Sequence, residues 1–229
     1  MAEDVRDMAG PGDVVRALDG PTIVPELGGT GMTAFKLRRY LRMCTFALEL
    51  VVAVPLSLPF IALGWLAILV DRFAETSLVI SHIPFYLGEH VRYFYYRATL
   101  RKVGRRVTFK YGSFCQYRDA SIGNRVVIGY YNALGMVSIG DDVSIGGFVN
   151  ITSGRRQHAI DDPTRRINQQ PGRAEVIHIG SDVWIGSNCV ISASIGNRCV
   201  IGSGSTVVKD VPDHTIYAGN PARLIRALD

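Results

Sequence analysis

The sequence has few of the residues that build several common catalytic centres. Its 229 residues include four cysteines and five histidines. The cysteines show no CxxC spacing, and we expect buried free thiols in a reducing compartment rather than disulfides. No serine, histidine and acid stand at a spacing known from catalytic triads. The sequence therefore does not indicate a covalent acyl-enzyme.

The charge of the chain is only moderately biased, and its start does not have the pattern of a cleavable signal peptide. The net charge is +5 with a pI of about 9.1, which fits either a solvated surface or attraction to anionic lipids or phosphorylated ligands. Residues 1–35 mix acidic residues with Gly and Pro, so we predict a flexible tail. The mean hydropathy of +0.17 is high for a soluble protein and favours a membrane-facing segment.

One apolar segment is longer than a bilayer requires. Residues 43–70 exceed the roughly 20 residues needed to span, and a basic run from Lys36 to Arg42 precedes them. Pro55 and Pro59 near the middle predict two half-helices, each too short to cross. The following region is basic as well, so the positive-inside preference disfavours a single span. We predict a re-entrant hairpin over 43–70 with both ends cytoplasmic.

The next segment interleaves aromatic and basic residues. His90 to Arg97 carries four aromatic rings and two arginines, a pattern typical of an interfacial helix with cations toward lipid phosphate. We predict such a helix over residues 88–102, within a membrane-associated region 36–106. The same pattern occurs in nucleic-acid binding proteins, but the apolar segment directly upstream favours membrane lipid as the partner and no nucleic acid.

A repeat of six residues dominates the rest of the chain. An aliphatic residue followed by glycine recurs at Ile122, Ile128, Leu134, Ile139, Ile145, Ile185, Ile195 and Ile201. Most steps are six residues, although the step from Leu134 to Ile139 is five. Such a period indicates stacked triangular coils, each built of three short strands and each burying an aliphatic residue that no single repeat could bury alone. We predict a mainly β fold, a parallel β-helix, over residues 107–229.

The repeat is interrupted once and ends in a different pattern. Residues 154–176 are polar and rich in arginine, and a long loop projecting from a regular solenoid is usually functional or disordered. Residues 217–226 predict a turn and a short capping helix over the last coil.

Four motifs in the second half resemble the hexapeptide-repeat O-acetyltransferases. They are His158 followed by Asp161-Asp162-Pro163, then Val183-Trp184-Ile185-Gly186, then the run from Ile201 to Pro212, and Ala218-Gly219-Asn220-Pro221-Ala222-Arg223. The resemblance implies a left-handed parallel β-helix, a homotrimer and acetyl-CoA as co-substrate, with no metal. The apolar segment is similar to that of members associated with polysaccharide or glycolipid assembly.

The resemblance assigns the chemistry to the interrupting loop. His158 stands where the family places its general base, and imidazole titrates near working pH. Asn150 is a catalytic candidate for stabilising the oxyanion, and Asn132 is a weaker candidate for binding the acceptor. Both asparagines also fit a purely structural role at a coil corner. In the loop, Arg155, Arg156 and Asp161 are candidates for acceptor binding.

The resemblance also implies a coenzyme site along the later coils. The candidate residues are Trp184, Gly186, Ser203, Gly204, Lys209, Asn220, Pro221 and Arg223. The backbone at the glycines and serine would meet the pantetheine amides, and Lys209 and Arg223 would meet phosphates. Trp184 fits either a place beside the pantetheine arm or a contact between subunits, and these readings stay open.

These expectations combine into one function with three rivals. We predict an acetyltransferase at the cytoplasmic face of the inner membrane that acts on a sugar hydroxyl of a membrane-associated glycan. A carbonic-anhydrase-like protein would need three histidines around zinc. An acyltransferase using acyl carrier protein would share the β-helix and the histidine. A non-catalytic membrane scaffold would retain its function after loss of His158.

Overall fold

The fold is seen in a computed structural model that describes residues 51–155, 157 and 159–228. The predicted tail 1–35, the first part of the apolar segment, Arg156 and His158 lie outside the described residues. Everything described belongs to one compact unit, Phe46–Asp229. The helices that precede the repeat are therefore packed with it rather than forming a separate body.

From residue 51 onward, three helices precede the repeat: α1 (Val51–Leu69), α2 (Phe73–Ser81) and α3 (Phe85–Thr99). Over 19 residues, α1 has a mean hydropathy of 2.2, which by length and composition is enough to cross a membrane. It is continuous through Pro55 and Pro59, so the expected break into two half-helices at these prolines is wrong. The Ser57 hydroxyl donates to Val54 O (2.7 Å), which adds a hydrogen bond in the turn that the prolines weaken.

Helix α1 buries a face of small residues and exposes its large ones. Ala53, Ser57 and Ala67 are buried. At Gly64 a Cβ would lie 2.6 Å from the Tyr95 ring, so only glycine permits this close approach to α3. The large apolar side chains of α1 that are exposed are Val51, Val52, Val54, Leu56, Leu58, Leu63, Trp65, Leu66 and Leu69.

Helix α3 closes the first coil with Arg92, Tyr95 and Tyr96, which are buried rather than presented to a membrane surface. Arg92 is 0% exposed and donates to three carbonyl oxygens: Phe109 O (2.9 Å), Ile83 O (2.7 Å) and Ser81 O (3.2 Å). Tyr95 and Tyr96 are also fully buried. The interfacial placement predicted for these three residues is wrong, because the open end of the solenoid exposes apolar side chains and carbonyl groups that α3 covers.

Short parallel strands then form a solenoid with three faces. Sheet 1 contains β1 (Lys102–Val103), β4 (Ser121–Ile122), β7 (Val137–Ile139) and β10 (Ile177–Ile179). Sheet 2 contains β2 (Thr108–Phe109), β5 (Val127–Ile128), β8 (Val143–Ile145), β11 (Val183–Ile185), β13 (Cys199–Ile201), β15 (Thr215–Gly219) and β16 (Ala222–Ala227). Sheet 3 contains β3 (Phe114–Cys115), β6 (Ala133–Leu134), β9 (Asn150–Ile151), β12 (Val190–Ile191) and β14 (Thr206–Val207).

The core is the column that the repeat predicts. One or two residues of each parallel strand point inward, and in sheet 2 these include Phe109, Ile128, Ile145, Ile185 and Ile201, all nearly or fully buried. Cys115, Cys189 and Cys199 are buried free thiols, as predicted. The predicted hexapeptide β-helix fold is confirmed. We number its coils 1 to 6 along the chain; coils 1 to 5 pass from sheet 1 to sheet 2 to sheet 3, and coil 6 ends in sheet 2.

The end of the solenoid is a hairpin, not a helix. Strand β15 continues sheet 2 in parallel with β13, and β16 returns antiparallel to β15. The predicted capping helix is therefore wrong. Strand β15 leaves an edge whose backbone groups need partners, and β16 supplies them without the side-chain periodicity that a buried helix requires.

Candidate active site

The interrupting loop leaves coil 3 from sheet 3. Strand β9 ends at Ile151 and β10 begins at Ile177, with a short 3-10 helix at Ile167–Gln169 between them. The loop is closed at its base, because Glu175 N donates to Ser153 O (2.8 Å). Asn150 is exposed on the outer face of sheet 3, at the point from which the loop departs. Its side chain is thus accessible, as the catalytic assignment requires.

The loop is folded around a glutamine that sequence reasoning missed. Gln170 is buried, its Nε2 donates to Asp162 O (2.9 Å) and Arg165 O (3.1 Å), and its Oε1 accepts from Asp162 N. The Asp162 carboxylate accepts from the hydroxyl and backbone N–H of Thr164, which lowers the pKa of that carboxyl. The Asp-Pro-Thr sequence is a turn signal that could have indicated this arrangement.

A cleft of about 600 Å³ lies within the loop. Its lining includes Arg155, Ala159, Asp161, Arg173 and Glu175. Arg155 Nη1 also donates to Val208 O of coil 5 (2.9 Å), which ties the loop to the solenoid two coils away. The structure therefore brings two predicted acceptor residues, Arg155 and Asp161, to one cleft. The predicted base His158 and the predicted acceptor residue Arg156 lie outside the described residues.

Asn132 is a corner residue and is not available to a ligand. It is fully buried; its Nδ2 donates to Gly146 O (2.8 Å) and its Oδ1 accepts from Val149 N (2.7 Å). Both ends of the amide are used within the solenoid, so the expected role in acceptor binding is wrong. The step from Leu134 to Ile139 is five residues instead of six, so Asn132 does not align with the acceptor-binding asparagine that the resemblance implies.

Four of the predicted coenzyme residues share one edge of the solenoid. We call the second corner the edge where each coil passes from sheet 2 to sheet 3. Gly186 lies there in coil 4, Ser203 and Gly204 in coil 5, and Asn220, followed by Pro221, in coil 6. A Cβ at Gly204 would meet no atom within 4 Å, so the outer side of this corner is open. Its small residues fit a slender chain such as pantetheine.

Two backbone N–H groups at this corner already donate hydrogen bonds within the solenoid. Gly186 N donates to Ile201 O (2.8 Å) and Gly204 N donates to Ser187 O (2.8 Å). The amide hydrogens expected to meet pantetheine are therefore already bonded at these two glycines. Carbonyl oxygens and the exposed Ser203 remain to meet the amide groups of a bound chain.

The other coenzyme candidates are more dispersed. Trp184 is 50% exposed on the outer face of sheet 2, between Ser144 and Val200. Arg223 is exposed on β16, paired with Ala218. Lys209 follows β14 and is exposed at the opposite edge of sheet 3 from Gly204. The structure thus places Lys209 one sheet width away from the second corner.

Within the described ranges, no three His, Cys, Asp or Glu side chains form a group suited to a metal ion. His178 is exposed on the outer face of sheet 1 beside Ser138. Histidines are thus not gathered around any point in that part of the chain.

Comparison with known proteins points to acetyltransferases. A family model described as the hexapeptide repeat of succinyl-transferase matches residues 176–209. The galactoside O-acetyltransferase of Escherichia coli is 39% identical over 95 residues, which are 41% of this chain and 45% of that protein. A chloramphenicol acetyltransferase of Escherichia coli is 40% identical over 104 residues, or 38% of this chain and 50% of that protein. The chain thus spans half or less of the length of these relatives.

Solved structures extend the likeness over more of the chain. A maltose O-acetyltransferase from Clostridium difficile superposes with a TM-score of 0.61 at 25% identity, over 69% of this chain and 86% of that one. A hexapeptide-repeat acetyltransferase from Vibrio cholerae, solved with acetyl coenzyme A, gives a TM-score of 0.59 at 27% identity, over 68% and 85%. The chain has the fold of the hexapeptide-repeat acetyltransferases.

Proposed function

We propose that this chain is an acetyl-CoA-dependent O-acetyltransferase that modifies a sugar hydroxyl of a membrane-associated glycan or glycolipid intermediate. One observation carries the proposal: the chain superposes over two thirds of its length on an acetyltransferase that was solved with acetyl coenzyme A. The small-residue corner of coils 4 to 6 supports it, because that corner contains Gly186, Ser203, Gly204 and Asn220 and is open at Gly204. The named acceptors of the relatives, galactosides and maltose, favour a sugar.

In this proposal acetyl-CoA supplies an activated acetyl thioester, and the chain supplies the base and the positioning. His158 takes the proton of the sugar hydroxyl as its oxygen bonds to the acetyl carbon, and it returns a proton to the sulfur as the carbon–sulfur bond breaks. In the proposal, the exposed Asn150 donates from its amide to the carbonyl oxygen as negative charge develops there. Transfer is direct, and no acyl-enzyme is formed.

The loop cleft is the proposed acceptor site. Arg155 and Arg173 bring two guanidinium groups to the cleft, and Asp161 and Glu175 bring two carboxylates that can accept hydrogen bonds from sugar hydroxyls. An acceptor with a phosphate beside its sugar, as in a lipid-diphosphate-linked intermediate, matches this combination. Assembly as a homotrimer is part of the proposal, because the outward Trp184 would then meet a neighbouring solenoid.

The membrane part of the proposal depends on α1 and on the first turn of α3. The outward side chains of α1 form an apolar surface, and Phe85 and Tyr86 add exposed rings at the start of α3. Lys110 lies over the Tyr86 ring (5.9 Å) and Arg118 over the Trp65 ring (5.8 Å), so cations border this surface. We place it in the cytoplasmic leaflet of the inner membrane.

The catalytic assignment is tested by initial rates of acetyl transfer from acetyl-CoA to galactosides and maltose. We expect His158→Ala to lower kcat about 10²- to 10⁴-fold, since a general base contributes that much. His178→Ala, at an exposed histidine of sheet 1, is the matched control and should keep the wild-type rate. Equal rates for wild type and His158→Ala would overturn the role of His158.

The membrane assignment is tested by flotation with vesicles of phosphatidylglycerol and phosphatidylethanolamine. We expect the wild type to float and a Leu66→Gln, Leu69→Gln variant to float less, because both leucines are exposed on α1. A Val190→Gln variant on the exposed face of sheet 3 serves as the control. Flotation that is unchanged by the α1 substitutions would contradict this surface.

A further inference from the structure

Aromatic residues line the second corner in the lower coils only. The two corner positions are occupied in coils 1 to 3 by Tyr111 with Gly112, Tyr130 with Tyr131, and Gly147 with Phe148. In coils 4 to 6 the same positions are Ser187 with Asn188, Ser203 with Gly204, and Gly219 with Asn220. The repeat alone does not require this division, because all of these residues lie outside the core column.

The rings are ordered against one another. Tyr131 and Phe148 stack with their centroids 5.2 Å apart and an angle of 14° between their planes. Tyr111 meets the Tyr131 ring edge-on at 5.6 Å. The Tyr131 ring also covers Gly112, where a Cβ would lie 2.3 Å from it. Together the rings of Tyr111, Tyr130, Tyr131 and Phe148 form a strip along the solenoid, which we call the aromatic strip.

The aromatic strip is open to solvent. Phe148 is 60% exposed, Tyr130 is 52% exposed and Tyr131 is 47% exposed. A patch of exposed rings with a defined geometry marks an interaction site more often than a single exposed ring does. Contacts among the rings do not explain their position, since burial in the core would stabilise the fold more than exposure at a corner.

The aromatic strip adjoins Asn150, the proposed oxyanion residue, whereas the loop leaves the opposite edge of sheet 3. Phe148 is two residues before Asn150, the first residue of β9, and both are exposed. Asn188 follows Phe148 at the corner position of the next coil. The aromatic strip therefore approaches Asn150 along coils 1 to 3. The small-residue corner continues the same edge along coils 4 to 6.

We propose that the aromatic strip binds the acceptor saccharide, with pyranose rings stacked on Phe148 and Tyr131. A pyranose has one face of C–H groups, which packs on an aromatic face, and an edge of hydroxyls, which needs polar partners such as Asn150 and Asn188. The exposed side chains of Asn150 and Asn188 beside the rings favour a hydroxyl-bearing partner over a bilayer. This inference rests on the proposed function and extends it: the acceptor carries at least two sugar units, one on the strip and one at the reacting hydroxyl.

The test is saturation-transfer NMR on the full-length detergent-purified protein with glucose, maltose and maltotriose, without acetyl-CoA. We expect transfer to ring C–H protons that strengthens with sugar length. Phe148→Leu and Tyr131→Leu, which keep apolar bulk but remove the flat face, should each weaken maltotriose binding about tenfold. The control Tyr117→Leu changes an exposed tyrosine away from the strip and should bind as the wild type does.

The outcomes separate this inference from the proposed function. Stabilisation by acetyl-CoA reports on the coenzyme site alone and should be equal in wild type and both strip variants. No saturation transfer from the wild type to any of the three sugars, or equal loss in the Tyr117 control, would overturn the saccharide strip while leaving the coenzyme site standing. A change of oligomeric state in Phe148→Leu by light scattering would instead show that a second copy covers the rings, and would also overturn it.

Discussion

The lower and upper halves of the second corner share one backbone geometry and differ in their side chains. The left-handed corner residues Tyr131, Phe148, Asn188 and Gly204 have φ values of 56°, 59°, 59° and 72°. In the lower coils this backbone carries aromatic rings, and in the upper coils it carries serine, asparagine and glycine. A solenoid thus keeps its core constant and changes its outer edge coil by coil, which is how one edge can offer two different binding surfaces.

The two halves are also closed in different ways. The lower end is covered by α3, which buries a cation and two tyrosines, and the upper end by the hairpin of β15 and β16. The cover of the lower end is therefore held by buried polar side chains of α3, whereas the upper hairpin is held by the backbone hydrogen bonds of a β-sheet.

Arg92→Met should have the largest effect on stability, about 3 kcal/mol, because it leaves carbonyl oxygens of Phe109, Ile83 and Ser81 without their buried donor. Denaturant unfolding measures the change. Arg97→Met is the matched control on the same helix: Arg97 is exposed and bonds Val103 O, so its loss should cost less than about 1 kcal/mol. Equal losses in the two variants would show that α3 does not close the first coil through Arg92.

Ser203→Phe extends the aromatic character of the lower corner into coil 5. We expect it to weaken acetyl-CoA binding about 100-fold, equivalent to about 2.7 kcal/mol, because the ring fills the open corner beside Gly204. Titration calorimetry measures the affinity. The mirror change Tyr130→Ser, at the equivalent position of coil 2, should leave acetyl-CoA affinity unaltered. If both variants bind acetyl-CoA as the wild type does, the coenzyme does not use this corner.

Tyr96→Phe should have the smallest effect, a loss of about 1 kcal/mol. The buried Tyr96 hydroxyl lies 2.7 Å from Ser77 Oγ and accepts from Cys115 N (3.3 Å); its removal costs Ser77 one partner, while Cys115 N still donates to Ser77 Oγ (3.2 Å). Thermal unfolding at several protein concentrations reports the change. Tyr86→Phe, at an exposed ring, should alter stability by less than about 0.5 kcal/mol. A similar shift for both would mean that the hydroxyl of Tyr96 contributes nothing.

The solenoid could be predicted from the sequence because its pattern is local. Each inward residue, such as Ile145 or Ile185, is followed by a glycine, and the same short unit recurs. The direction of each side chain follows from its place in the unit, without knowledge of distant residues. The interrupting loop could be predicted for the same reason, since it is where the unit is missing.

The ends of the solenoid could not be predicted in this way. Arg92 and Tyr96 have the composition of an interfacial helix, and only the position of the open first coil decides that they are buried. Likewise residues 222–227 form a strand because β15 offers an edge. Asn132 shows the same limit within the repeat, because its burial follows from how coils 2 and 3 stack. Gln170 organises the loop through contacts that no motif records.

The most direct test of the account is the thermal unfolding of the detergent-purified full-length protein with and without acetyl-CoA. If the upper second corner holds the coenzyme, acetyl-CoA at 100 times its Kd should stabilise the fold by about 2.7 kcal/mol. Coenzyme A should share this effect, and free pantetheine should show much less of it. An unfolding temperature unchanged at millimolar acetyl-CoA would contradict the central claim.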